Sequence, residues 1–225
     1  SVVSGDGVSS SSGAIVIRTA NAVSTGTSGN LRFSSGTTQA GARAVSSHTG
    51  SLAGSEQAYQ AAFRQAGVLR AESMQELFDM ALAFGYQPPL RGKRIAVITN
   101  AGGPGILATD ALEHIGLELA QLASAANPVD VLGDARADRY QMALELVAAD
   151  PNVDGLLVIL TPQAMTEIAA TAEAVVATAR AQDKPVLACF MGAKRIQACI
   201  EALTAGGVPN YPFPKRAALA LGAMA

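Results

Sequence analysis

Arg94 to Leu119 reads Arg-Ile-Ala-Val-Ile-Thr-Asn-Ala-Gly-Gly-Pro-Gly-Ile-Leu-Ala-Thr-Asp-Ala-Leu-Glu-His-Ile-Gly-Leu-Glu-Leu. Ile95, Ala96, Val97 and Ile98 form a short apolar run with β-branched members, the pattern of a strand buried on both faces of a parallel sheet. Asn100 to Gly105 then carries too many glycines to extend the strand or to sit inside a helix. From Ile106 onward, Leu107, Ala111, Leu112 and Ile115 share one helical face. The stretch is therefore strand, glycine loop, helix. A helix start offers unpaired backbone N–H groups and the positive end of the dipole, so an anion can sit there, and glycines at 102, 103 and 105 let it approach. A tight strand-to-helix turn without a ligand fits the same residues. The loop is neither a Walker motif nor a complete Gly-x-Gly-x-x-Gly.

The chain beyond this unit keeps alternating. A short strand is expected at Glu118 to Gln121, then a loop from Ala126 to Ala135 with an Asn-Pro turn and two acids, Asp130 and Asp134. Arg139 to Ala149 reads as helix and Gly155 to Leu160 as a strong strand. Thr161-Pro162 stops that strand and caps a helix over Gln163 to Ala181. Pro185 to Met191 is a third strong strand, Gly192 opens a helix from Lys194 to Leu203, and Lys215 to Met224 forms a last helix. Strands separated by helices imply an α/β fold, a parallel sheet with right-handed crossovers. Ligands in such sheets lie beyond the carboxyl ends of the strands. Asn100 to Gly105, Asn127 to Asp134, Thr161 to Gln163 and Gly192 are expected to gather there.

Upstream, Ser1 to Thr38 is rich in Ser, Gly and Thr and reads as a leader or hairpin. It holds two similar units, Ser12 to Thr19 and Ser28 to Ser35, each Ser-Gly followed by a short strand pattern. A histidine stands among small residues in Ser46-Ser47-His48-Thr49-Gly50-Ser51. Ser55 is an N-cap for a helix from Glu56 to Ala66, with Tyr59, Ala62 and Phe63 inward and Gly67 as its stop. Val68 and Leu69 suit a short strand. A second helix, Ser73 to Phe84, has Ser73 as cap and Glu76 at the capping-box position, with Leu77, Met80, Ala81 and Phe84 inward. Pro88 and Pro89 mark a linker over 88–93.

The chain has 225 residues, of which 49% are hydrophobic, enough for a sizeable core. A formal charge of −2 leaves no nucleic-acid footprint. No apolar run reaches membrane-spanning length. Cys189 and Cys199, without companion ligands, read as buried reduced thiols rather than a metal site, and a reducing cytoplasm is expected.

Several segments together resemble one family. Ala40 to Ala44 with Ser46 to Ser55, then Thr99 to Gly105, Asn127 to Val131, and Thr161 to Thr166, are similar in order and spacing to ADP-forming acyl-CoA synthetases. These include acetate–CoA ligase (ADP-forming) and are relatives of succinyl-CoA synthetase. The resemblance covers about Leu31 to Ala225. It implies a flavodoxin-like domain over 94–225, preceded over 39–87 by the C-terminal part of a second, histidine-bearing domain, with 1–38 as an atypical leader. It implies interconversion of acyl-CoA, phosphate and ADP with carboxylate, CoA and ATP through a phosphohistidine. His48 matches the carrier. Thr49, Gly50, Asn100, Ala101, Gly102, Gly103 and Gly105 match the phosphate-binding segments.

The family further implies CoA, ATP or ADP, phosphate and magnesium as cofactors and substrates, and an oligomeric assembly. Its CoA-binding Rossmann domain and its ATP-grasp module have no counterpart in this sequence. They are expected in the same or a partner chain, and the isolated chain is expected to be inactive. A different use of the same domains, ligand sensing in fusions to acetyltransferases, is the alternative; the histidine loop favours the ligase.

Overall fold

The computed structural model describes the backbone of residues 2–4, 15–18, 30–32, 56–192 and 195–225, with side chains from residue 60 onward. These fall into two compact units, 1–81 and 82–225.

In the first unit, strands β1 (Val2–Ser4), β2 (Ile15–Arg18), β3 (Asn30–Arg32) and β4 (Leu69–Arg70) form one sheet in that order. The first two pairings are antiparallel, and β3 runs parallel to β4. Both strand patterns in the Ser/Gly-rich segment are thus used, as β2 and β3. Helix α1 (Glu56–Gln65) ends at Gly67, whose φ of +62° suits glycine, while the Val68 N–H returns to the Phe63 carbonyl at 2.9 Å. Phe63 is buried and Ala62 is exposed, so the inward face of α1 is narrower than its pattern suggested. Helix α2 (Met74–Tyr86), whose residues from Leu82 onward are counted with the second unit, opens on a cap: the Glu76 N–H donates to Ser73 Oγ at 3.1 Å. The Glu76 carboxylate accepts from the Glu72 N–H, one residue before the position a capping box uses.

The second unit is a sheet of β5 (Arg94–Thr99), β6 (Glu118–Leu119), β7 (Val129–Asp130), β8 (Gly155–Leu160) and β9 (Val186–Phe190). The order is β6-β5-β8-β9, with β7 beside β5, and every pairing is parallel. A single parallel bridge from Ala188 to Asn210 extends the far edge. Counting β6 and β7 as one interrupted strand, this is the flavodoxin-like order 2-1-3-4-5.

Side chains alternate across the sheet. Ile95, Val97, Leu157 and Ile159 pack with Leu112, Ala217 and Leu221 from α3 (Gly102–His114) and α7 (Pro214–Met224). Ala96, Ile98, Leu156 and Val158 pack on the other face, under α4 (Ala137–Ala149), α5 (Ile168–Arg180) and α6 (Gln197–Ala205). Strands covered on both sides must be apolar throughout, which is why the run Ile95 to Ile98 was legible. The expected linker 88–93 lies in this unit, with Leu90 buried in the α3/α7 layer.

Helices α3 and α5 also depart in part from expectation, and α6 starts at Gln197 rather than Lys194. On α3, Leu112 is buried and Ala111 and Ile115 pack against the same core as expected, joined by buried Gly105 and Ala108, whereas Leu107 is exposed and lines an apolar groove with Phe213 and Leu219. Helix α5 starts at Ile168, not Gln163. The Thr166 hydroxyl accepts the Gln163 N–H at 2.9 Å and folds 163–166 into a local turn, which delays the helix.

Candidate functional site

The strand-order reversal lies between β5 and β8, whose following helices α3 and α5 pack on opposite faces. A crevice at the carboxyl ends of the strands forms at such a point. Asn100 spans it. Its Nδ2 donates to the Thr161 carbonyl and its Oδ1 accepts the Thr161 N–H, both at 2.8 Å. The other predicted loops meet here too. The Val131 N–H bonds the Thr99 carbonyl at 2.9 Å, and a Cβ on Gly192 would stand 3.1 Å from Pro162.

Above β5, Thr99 shapes the start of α3. Its hydroxyl donates to the Ala101 carbonyl at 2.9 Å and accepts the Ala101 N–H at 3.1 Å. Ala101 is the N-cap, extended at φ −145° and ψ 119°, with no side chain closing the helix end. The first intrahelical bond runs from the Gly105 N–H to the Ala101 carbonyl at 3.2 Å. Pro104 has no N–H, so Gly102 and Gly103, both exposed, present the free amides of this terminus. A Cβ on either would meet nothing within 4 Å. Packing therefore does not demand glycine there. Gly105 differs: its Cβ would lie 3.0 Å from Thr99 Cγ2, so its glycine serves helix-on-strand contact.

The flanking loop is set by Asn127. The outer strand is interrupted between β6 and β7, and the Asn127 side chain fills the gap. Its Oδ1 accepts the Val97 N–H at 2.9 Å, and its Nδ2 donates to the carbonyls of Ile95 and Ala120 at 2.8 and 3.0 Å. After β7, Leu132 adopts φ +72°, the described non-glycine residue with positive φ. Asp130 Oδ1 accepts its N–H at 2.8 Å. Asp134 pairs with Arg139 at 2.8 Å. Both acids are thus engaged within the loop. Beneath it, the buried Tyr140 hydroxyl donates to the Ile159 carbonyl at 2.8 Å, and desolvation raises its pKa.

The opposite, amino-terminal end of the strands holds a two-pronged ion pair. Arg94 bonds Asp154 through Nε at 2.9 Å and Nη2 at 2.7 Å, which holds the Asp154 carboxyl below its ordinary pKa. Burial pushes the Cys189 thiol up to about 12, so it is an inert packing group.

His48, Thr49 and Gly50 lie outside the described residues. Of the remaining predicted phosphate-binding residues, Gly102 and Gly103 present open amides. Ala101 shapes the cap, Gly105 packs, and Asn100, only 3% exposed, uses its carboxamide on Thr161. Sequence reasoning named Thr99 and Thr161 within their segments but gave neither side chain nor backbone a role at the site, and took Asn127 only as part of a turn motif. An asparagine before proline hinted at a turn, not at a side chain replacing a strand residue. Among the described residues, no group of three or more His, Cys, Asp or Glu side chains could hold a metal ion. No helix among them is long and apolar enough to cross a membrane.

Residues 14–84 match the succinyl-CoA ligase like flavodoxin domain, and residues 95–224 match the ligase-CoA domain. The first match includes part of the segment set apart above as a leader. An acetate–CoA ligase (ADP-forming) I of Archaeoglobus fulgidus is 41% identical over 205 residues, covering 84% of this chain and 29% of that protein. The α subunit of acetate–CoA ligase (ADP-forming) II of Pyrococcus furiosus is 38% identical over 213 residues, covering 86% and 46%. Among solved structures, the dinucleotide forming acetyl-coenzyme A synthetase 1 of Candidatus Korarchaeum cryptofilum, in complex with phosphate and ADP, aligns with a TM-score of 0.80. Its identity is 32% over 86% of this chain and 46% of that one. The chain thus spans from 29% to 46% of the length of these proteins. Two successive domains of one enzyme architecture match in order, and with them the flavodoxin-like sheet: the chain belongs to the ADP-forming acyl-CoA synthetases of the succinyl-CoA synthetase superfamily.

Proposed function

We propose that this chain is part of an ADP-forming acyl-CoA synthetase that interconverts acyl-CoA, phosphate and ADP with carboxylate, CoA and ATP. Phosphate displaces CoA from the acyl-CoA, giving an acyl phosphate. A neutral imidazole nitrogen of His48 attacks phosphorus, an N–P bond forms, the P–O bond to the acyl group breaks, and the carboxylate leaves. Transfer to ADP then breaks the N–P bond and forms ATP. Imidazole suits this role because it is nucleophilic near neutral pH and its phosphoramidate passes the group on.

The observation supporting this most is the open start of α3 at the strand-order reversal. The Gly102 and Gly103 amides donate to the phosphoryl oxygens, aided by the helix dipole. Thr49 and Gly50 belong to the histidine loop of the same scheme. The division into a histidine-bearing piece (39–87), a linker (88–93) and a ligase domain (94–225) is part of the proposal. CoA, nucleotide and magnesium are held by a CoA-binding domain and an ATP-grasp module, in the same or a partner chain of an oligomeric, cytoplasmic enzyme. The described residues offer no cluster for magnesium, so no step here runs through it.

Reconstitution tests the reading. The chain supplied with both modules should form acyl-CoA from acetate, CoA and ATP, and the chain alone should not. Gly103→Val should depress phosphoryl transfer while leaving the fold intact. Full turnover by the isolated chain, or by Gly103→Val, would overturn it.

A further inference from the structure

We propose that Leu132 contacts the organic group of the acyl substrate and sets which carboxylates are accepted. This rests on reading the start of α3 as the phosphoryl seat. Leucine is a poor choice for φ +72°, where glycine, asparagine or aspartate is the usual occupant. The conformation is held from both sides. The Asp130 carboxylate accepts the Leu132 N–H at 2.8 Å, and the Leu132 carbonyl accepts the N–H of fully buried Ala135 at 3.0 Å. Yet the side chain so fixed is 56% exposed and adds little to the core. A backbone conformation disfavoured for its residue, over-determined by its neighbours and presenting an apolar group to solvent, is a feature expected at a ligand clamp.

Its location names the ligand. Loop 128–133 borders the glycine loop at two points. A Cβ on Gly105 would lie 3.9 Å from Pro128, and one on Gly133 would lie 3.8 Å from the Asn100 carbonyl. An acyl phosphate has an anionic end and an organic end. With its phosphoryl oxygens on the Gly102 and Gly103 amides, its organic end meets this loop, where Leu132 is an exposed aliphatic surface.

The test uses the complete enzyme carrying Leu132→Gly, Leu132→Asn or Leu132→Phe. Glycine and asparagine tolerate the backbone conformation, so their melting temperatures should equal or exceed that of the parent. kcat/KM is measured for acetate, butanoate and 3-methylbutanoate. The ratio among these acids should change by about tenfold, the size a pocket gains or loses over one or two carbons. The change should lie in KM for the carboxylate, with KM for ATP and CoA unmoved. An unchanged ratio overturns the assignment. So does a uniform loss for every acid that falls with rising concentration of the ATP-grasp module, since Leu132 would then be a docking contact. His48 labelling of the parent enzyme separates the two levels. No label overturns the underlying reading and this one, whereas a label with an unchanged ratio overturns only the role of Leu132.

Discussion

Asn100 and Thr161 exchange two hydrogen bonds of 2.8 Å, both made by the asparagine carboxamide to the Thr161 backbone. The side chain thereby acts as a further ladder residue between β5 and β8, at the place where the two strands must part. Without it the part-buried Thr161 N–H and carbonyl lose these partners, while the second Nδ2 hydrogen takes no part in the exchange. Asn100→Ala should therefore cost on the order of 2–4 kcal/mol. Denaturant unfolding and faster amide exchange at Thr161 check this. Asn100→Asp keeps the bond from the Thr161 N–H but turns an anionic oxygen on the Thr161 carbonyl, and should also destabilise.

The glycines of the loop should separate into two classes. Gly105→Ala places a Cβ 3.0 Å from Thr99 Cγ2. The expected loss is about 1–3 kcal/mol, as for other overpacked contacts. Gly102→Ala and Gly103→Ala meet nothing within 4 Å. They should leave stability unchanged or raise it by about 0.5–1 kcal/mol, the helix-propensity gain of alanine over glycine. Thermal melts of the three variants give the comparison.

What the sequence made legible follows from how much each feature depends on neighbouring residues in the chain. The run Ile95 to Ile98 and the glycines after it need only local pattern, and they located β5, the loop and α3. The parallel sheet followed from alternation, and its flavodoxin-like character from the family resemblance. The roles of individual side chains did not, because they depend on distant partners. Asn100 reaches 61 residues ahead to Thr161, and Asn127 reaches back 30 to Val97. On α3, Leu107 was misjudged for the same reason. Gly105 has no side chain to enter a hydrophobic pattern, yet it is buried close to Thr99 and Pro128.

Acid should loosen the second unit through Asp154 and Asp150. Hydrogen bonds from Arg94 lower the Asp154 pKa, and backbone N–H groups of Ala123 and Asn152 lower that of Asp150. A lowered folded-state pKa means that the stabilisation is present above the unfolded value, about 3.9 for aspartate. It is lost as pH falls through the folded-state value. Unfolding midpoints measured between neutral pH and strong acid should drop in that window. Asp154→Asn should be less stable at neutral pH and show a shallower acid decline, because the group that titrates is gone.

The central claim, a phosphoryl group carried by His48, is tested by labelling. The complete enzyme is incubated with ATP carrying a labelled γ-phosphoryl group, and the modified residue is identified by peptide mapping. An acid-labile, base-stable label on His48, lost together with turnover in His48→Ala, is the predicted result. Normal turnover by His48→Ala would contradict the account and leave residues 46–51 as a structural loop.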